Sequence, residues 1–186
     1  GEHEDKKRTW VLPLNSNWNG LPDTLETETL EIPNYSALAA QNQGALRFNT
    51  ENTAHYITDY QGLLLDQILD TITELDSTSK LQVVQERRLL AEAGHISFAE
   101  LVPVIEKLTD ESSYLVVSGV KAVLSGLKIF VEEGSETEEA YNDLVIKLSR
   151  FNFDRLGFEA KDGESDEDEL VRQIVIGNLI AANDEK

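Results

Sequence analysis

The sequence predicts an α+β chain, predominantly α, and three observations carry that reading. Two short segments, Ala45–Asn49 and His55–Asp59, alternate apolar and polar side chains as half-buried strands do. After Tyr60 the period lengthens. Leu64, Leu65, Ile68, Leu69, Ile72 and Leu75 recur every three to four residues, which sets them on one face of a helix. From Asp76 onward, capping residues and glycines punctuate the chain at intervals suited to successive helices. A β portion over residues 1–60 therefore hands over to a helical portion over residues 61–186 almost without a linker.

Residues Gly1 to Arg8 are nearly all charged and read as a mobile or artificially exposed end. Thr9 to Leu14 reads as a strand, with Pro13 pointing to an edge position. Asn15 to Asp23 is rich in turn formers, and Leu25 to Ile32 predicts a second strand closed by Pro33-Asn34. The strands at Ala45–Asn49 and His55–Asp59, joined by a turn over Asn49–Thr53, complete a small antiparallel group. A sheet of that size is marginal alone and needs helices or further strands to cover it.

The helical half is better marked. Asp76 to Ser79 offers N-caps for a helix through Ala93, with Gly94 at the stop position. Ser97 with Glu100 forms a capping box ahead of Leu101, Val104, Ile105 and Leu108. A longer helix is expected over roughly Ser113 to Val131, ended by Gly134. Ser135 with Glu138 opens another to about Arg150, and Ser165 with Asp168 a last one to about Ala182. Helices joined by short connections stack in pairs, so a HEAT- or armadillo-like array is expected. No fixed-period repeat is visible, which makes the pairing irregular.

Composition narrows the function classes. Hydrophobic residues make up 40% of the 186, enough for a real core. With no cysteine, a disulfide-stapled domain, a thiol nucleophile and a thiolate metal site are all excluded. The formal net charge of −19 repels phosphate backbones, so nucleic acid is not an expected partner. The basic cluster Lys6 to Arg8 and the pair Arg87-Arg88 are too short to offset that field. No apolar run approaches bilayer length and no signal-peptide pattern precedes the domain, so a soluble cytoplasmic protein with no membrane partner is expected. The absence of methionine fits either loss of an initiator or excision from a longer chain, and the second is the expectation.

Candidate chemistry is sparse. His3-Glu4 begins like a zinc-binding HExxH helix, but Lys7 stands where the second histidine belongs. His55 and His95 read as a strand-surface and a loop residue. Asp162, Glu164, Asp166 and Asp168 alternate like calcium-loop ligands. Counted from Asp162, though, the sixth and twelfth positions hold Glu167 and Gln173 in place of glycine and glutamate. A solvated acidic loop that favours the start of the next helix is the better reading. Asn34-Tyr35-Ser36 matches a glycosylation sequon without further support. Trp10, Phe48 and Tyr56 are expected in the β core or its seam with the helices, and Phe151, Phe153 and Phe158 around the Leu156-Gly157 turn.

The words LRFNTENTAHYITDY, LLLDQIL and LDSTSKLQVVQERRLLAEAGHISFAELVPVI resemble the C-terminal portion of bacterial aminopeptidase N, the zinc-dependent M1 family, in its Gram-positive branch. TWVLPL and RLGFEAKDGESDEDELVRQIVIGNLI extend the resemblance over nearly the whole chain. It implies a partial β-sandwich spacer over 1–60 and the first part of the α-helical C-terminal domain over 61–186. It also implies a role: capping the parent's active site and restricting access to peptides while N-terminal residues are released. Partners would then be the remaining domains of the polypeptide and, in the parent, a peptide substrate. Zinc would belong to the parent, since this segment lacks HExxH and GxMEN. Thr50-Glu51-Asn52 mimics only the tail of the second motif, in a turn. The segment should be inactive alone, so no catalytic, cofactor-binding or metal residue is assigned. In that family basic residues on the concave side of the helices can meet a peptide's carboxylate. Arg87, Arg88, Arg155 and Arg172 are the candidates, with ion pairing to the abundant acids the preferred alternative for each. The other reading of the whole is a helical-repeat scaffold with an acidic surface and no peptidase attached.

Overall fold

The computed structural model describes residues 10–183, so Lys6 to Arg8 and the His3-Glu4-Lys7 pattern lie outside the described residues. The chain is predominantly helical with a minor β component, and it divides into two compact units, Gly1–Thr71 and Ile72–Lys186.

In the first unit, strand β1 (Leu12–Pro13) pairs antiparallel with β2 (Thr24–Leu25), Leu12 opposite Leu25. Helix α1 (Tyr35–Gln41) and helix α2 (Gly62–Thr71) follow. The strands are much shorter than the alternation predicts, and the reason lies in the asparagines. Segment 45–50 does run beside 14–17: the Asn17 amide donates to the Arg47 carbonyl (3.2 Å) and the Asn49 amide to Leu14 (2.9 Å). Asn15 and Asn49, however, sit in the left-handed region (φ 44° and 52°), which breaks the regular ladder that a strand requires. Side chains take over the missing pairing. The Asn17 carboxamide bridges the Ala45 carbonyl (2.9 Å) and the Arg47 amide (2.7 Å), and the Tyr60 hydroxyl accepts from the Phe48 amide (2.8 Å).

Segment 55–59 keeps its alternating exposure without joining a sheet. The Asn49 side chain holds Ala54 through both its backbone groups, and the Tyr56 hydroxyl donates to the Leu14 carbonyl at 2.8 Å. Beyond Leu25 the second predicted strand is lost to a bend in which the Thr27 hydroxyl donates to the Thr29 carbonyl at 2.6 Å. Trp10 is a correction too. It is 76% exposed, and the buried tryptophan is Trp18, whose ring meets Tyr35 at 5.2 Å and whose indole N–H donates to the Gly44 carbonyl. Helix α1 is an element that the sequence pattern does not predict. It opens from Asn34, itself left-handed at φ 59°, and its Ala-rich stretch supplies the propensity.

The second unit is a helix-on-helix array: α3 (Ser77–Glu92), α4 (Val102–Glu106), α5 (Tyr114–Lys128), α6 (Glu136–Leu156) and α7 (Asp166–Ala181). Helix α5 packs on α3 and on α7, and α6 packs along α7. Asp76 caps α3 as expected, accepting from the Ser79 amide, and Gly94 (φ 76°) follows its end. Ser97 and Glu100 form their reciprocal box, but it opens a 3-10 turn (Phe98–Leu101) before α4. Pro103 explains the break. It has no N–H to donate back a full turn, so the α-helix restarts with the proline in its first turn, where no donor is needed. The predicted apolar face survives the break, for Leu101, Val104, Ile105 and Leu108 are all buried.

Helix α5 stops at Lys128, three residues short of the expected Val131. Helix α6 runs six residues past Arg150, because Asn152 and Leu156 are buried in the array and only Gly157, at φ 66°, ends the winding. At its start Ser135 accepts from the Glu138 amide, but the Glu138 carboxylate accepts from Gly134 and Lys128 instead of returning the bond. The box around α7 is complete. Leu156, Val171, Val175 and Leu179 form the α6–α7 core, flanked by Val117, Ile146 and Phe153. Phe158 meets Phe153 edge-on at 5.0 Å, while Phe151 stands on the exposed side of α6.

Candidate functional site

The sequence candidates among the described residues lie apart from one another or in ion pairs. Among the described residues there is no group of three or more His, Asp or Glu placed to hold a metal ion. His55 and His95 are exposed, as is Glu51 in its turn. The donor set described therefore does not fit zinc. The alternating acids before α7 have other employment. Glu164 pairs with Arg172, and Asp168 pairs with Arg155 while capping the helix. The Arg155 guanidinium, reinforced by the Ser165 amide and hydroxyl, holds the Asp168 carboxyl well below its ordinary 3.8, at about 2. Arg172 likewise lowers Glu164.

The four arginines thus resolve into ion pairs. Arg88 meets Glu92 one turn on, and Arg87, 3% exposed, lies 3.6 Å from Glu100. Arg155 also donates to the Asn152 carboxamide at 3.1 Å, and Asn152 donates to the Glu111 carbonyl at 2.7 Å. Glu111 in turn pairs with Lys80 of α3. A continuous polar path therefore joins α3, the α4–α5 connection, α6 and the start of α7. Lys80, 7% exposed, needs such a partner, because an unpaired charge is costly away from water. The spacing of α3 gives no hint of it. Lys80, Gln82, Glu86 and Arg87 are all buried there, on a helix that reads as polar.

The feature that sequence reasoning missed is an apolar groove of about 740 Å³. Its lining comes from the 3-10 turn and α4 (Phe98, Val102), the end of α5 and the turn after it (Leu127, Phe130) and the first half of α6 (Tyr141, Leu144). Phe98 and Phe130 meet at 5.6 Å, and Gly126 makes room for the Phe98 ring, which lies within 3.0 Å of where a Cβ would stand. Phe130 is 67% exposed and the adjoining Ile129 79%. The Tyr141 hydroxyl donates to the Leu124 carbonyl at 3.1 Å, and burial pushes that phenol's pKa up. At one end a Lys147–Glu106 ion pair (2.9 Å) ties α6 to α4. The available signal was the apolar run Ile129-Phe130-Val131 beyond the last turn of α5, which no helix face absorbs.

Fold and geometry together define a helical-array domain that carries ion-pair networks and a groove. Residues 46–186 match the family model described as the ERAP1-like C-terminal domain. The chain belongs to that family. It is 58% identical over 184 residues to an aminopeptidase N of Lactococcus lactis subsp. lactis, an alignment covering 98% of this chain and 22% of the relative. It is 48% identical to a second from Lactococcus lactis strain IL1403 (98% and 22%), and 40% identical to one from Lactobacillus helveticus (92% and 20%). The chain thus spans about a fifth of the length of these curated relatives and matches their C-terminal part.

Proposed function

We propose that this chain is the non-catalytic C-terminal segment of a zinc-dependent aminopeptidase N. In the parent it closes over the active site and restricts entry to peptides, from which N-terminal residues are released. The observation that supports this most directly is the 58% identity to an aminopeptidase N along 98% of the chain. In this reading residues 1–60 belong to a β-sandwich spacer and residues 61–186 to the helical C-terminal domain. Zinc, the general base and the anchor for the substrate's amino end sit in the rest of the polypeptide, since this sequence carries neither HExxH nor GxMEN. The helical array acts as a wall, held rigid by its ion-pair path, and the parent works in the cytoplasm.

The test captures the endogenous protein with an antibody raised against this segment. Its mass is read on a denaturing gel and its hydrolysis of an aminoacyl chromogenic substrate is followed before and after chelation. The expected result is a polypeptide four to five times the length of this chain, as the coverage of the relatives requires. Its activity should be lost to chelation and restored by zinc. A band near the size of this chain without such activity overturns the proposal.

A further inference from the structure

We propose that the apolar groove between α4, α5 and α6 is a docking site for a basic amphipathic helix supplied by the rest of the parent polypeptide. The inference rests on the reading above, in which this chain is one segment of a longer enzyme. An amphipathic helix placed in a hydrophobic groove anchors through side chains spaced three and four residues apart. The groove offers such anchors a floor of Phe98, Val102, Leu127, Tyr141 and Leu144, with Phe130 standing proud at the lip. Leaving that surface in water forfeits roughly 25 cal/mol for each Å² that a partner would bury.

Charge decides the kind of partner. The two lysines at the groove are already engaged, Lys147 with Glu106 at 2.9 Å and Lys128 with Glu138 at 3.4 Å. Asp143 is exposed among the lining residues, and Glu132, Glu133, Glu136 and Glu139 are exposed beside them in sequence. The lip is therefore negative, and Lys or Arg flanking the apolar anchors complements it. A second copy of this chain would bring its own net charge of −19 against the same lip, which argues against self-association. The relatives are several times longer than this chain, so there is further polypeptide from which such a helix could be supplied in cis. Tethering raises its effective concentration, so a groove of moderate size suffices.

The experiment uses the full-length parent polypeptide with photoreactive p-benzoylphenylalanine in place of Thr137, which also lines the groove. After irradiation the cross-linked peptides are identified by mass spectrometry. The expected cross-link joins the groove to an intramolecular segment outside residues 1–186, bearing apolar residues at helical spacing and Lys or Arg. Its yield should fall on the order of ten-fold with Phe130→Asp, as loss of one aromatic anchor does. It should hold with Ile180→Asp on α7, equally exposed and not among the lining residues. No cross-link, one confined to a second copy or to a separate protein, or a yield indifferent to Phe130→Asp overturns the proposal. Mass and chelator-sensitive activity are read on the same preparation. A full-length, zinc-dependent aminopeptidase without the cross-link thus removes the groove proposal alone. A long, inactive polypeptide that does cross-link removes the peptidase reading alone.

Discussion

Asp168 performs two tasks with one carboxylate, and their agreement explains its acidity. It accepts from the Ser165 amide, closing the capping box of α7, and it pairs with Arg155 of α6. The folded chain keeps the carboxyl ionised down to about pH 2, while an unfolded chain takes up the proton near the ordinary 3.8. The stabilisation is therefore whole above the unfolded value and is lost as pH falls through the folded one. Thermal melts of the native chain and Asp168→Asn should differ by a constant interval at neutral pH, with the gap closing between pH 3.8 and about 2. A gap of unchanged width at pH 2 would show that the substitution acts through something other than this charge. Neighbouring Glu164 is lowered as well, chiefly by Arg172, and the Asp168 charge works against that lowering, so Glu164 titrates lower still in Asp168→Asn and the comparison is best made in a Glu164→Gln background.

At the scale of elements, two glycines in adjacent helices predict opposite outcomes. Gly119 lies buried in α5 against α3, and a Cβ there would stand 2.7 Å from the end of Leu81 and 3.6 Å from Val84. Gly177 in α7 has nothing within 4 Å of that position. Gly119→Val should destabilise the chain by about 1–3 kcal/mol through overpacking. Gly177→Ala should stabilise it by about 0.5–1 kcal/mol through reduced backbone entropy in the unfolded state. Denaturant midpoints compared with the native chain measure both. A Gly119→Val midpoint at or above that of the native chain would show that close α3–α5 packing is not what Gly119 serves, and a lowered midpoint for Gly177→Ala would overturn the entropy argument. The same logic explains the short α4, where one missing N–H at Pro103 divides an apolar face that packing then keeps continuous.

For the whole molecule, the contrast between the units should be visible in amide hydrogen exchange. Residues 116–124 of α5 and 171–179 of α7 lie in helices packed on several neighbours, and their amides should be among the slowest. Residues 26–32 follow an irregular, largely exposed path and should exchange orders of magnitude faster. Equal protection in the two would mean that a regular sheet does extend beyond Leu25. The surface charge of −19 acts at this scale too, since it sets which partners can approach, whichever helix they meet.

Capping residues, glycine stops and helical spacing were enough to place α3, α5, α6 and α7, because those signals act within one or two turns of the chain. They also placed Asp76, Ser97 and Ser165 as caps. The predicted strands failed where Asn15 and Asn49 took left-handed conformations, since alternation records which side chains are buried and says nothing of whether a ladder forms. The Lys80–Glu111, Asn152 and Arg155–Asp168 path escaped notice because its members lie up to 88 residues apart, from Lys80 to Asp168. The groove was invisible for the same reason: Phe98, Phe130 and Tyr141 meet only after three elements have packed. What the sequence determined alone was local: helix positions, caps, charge and the family likeness carried in contiguous words. Tertiary structure alone decided which polar groups are buried together and which apolar ones remain uncovered, because both depend on neighbours that the chain brings from a distance.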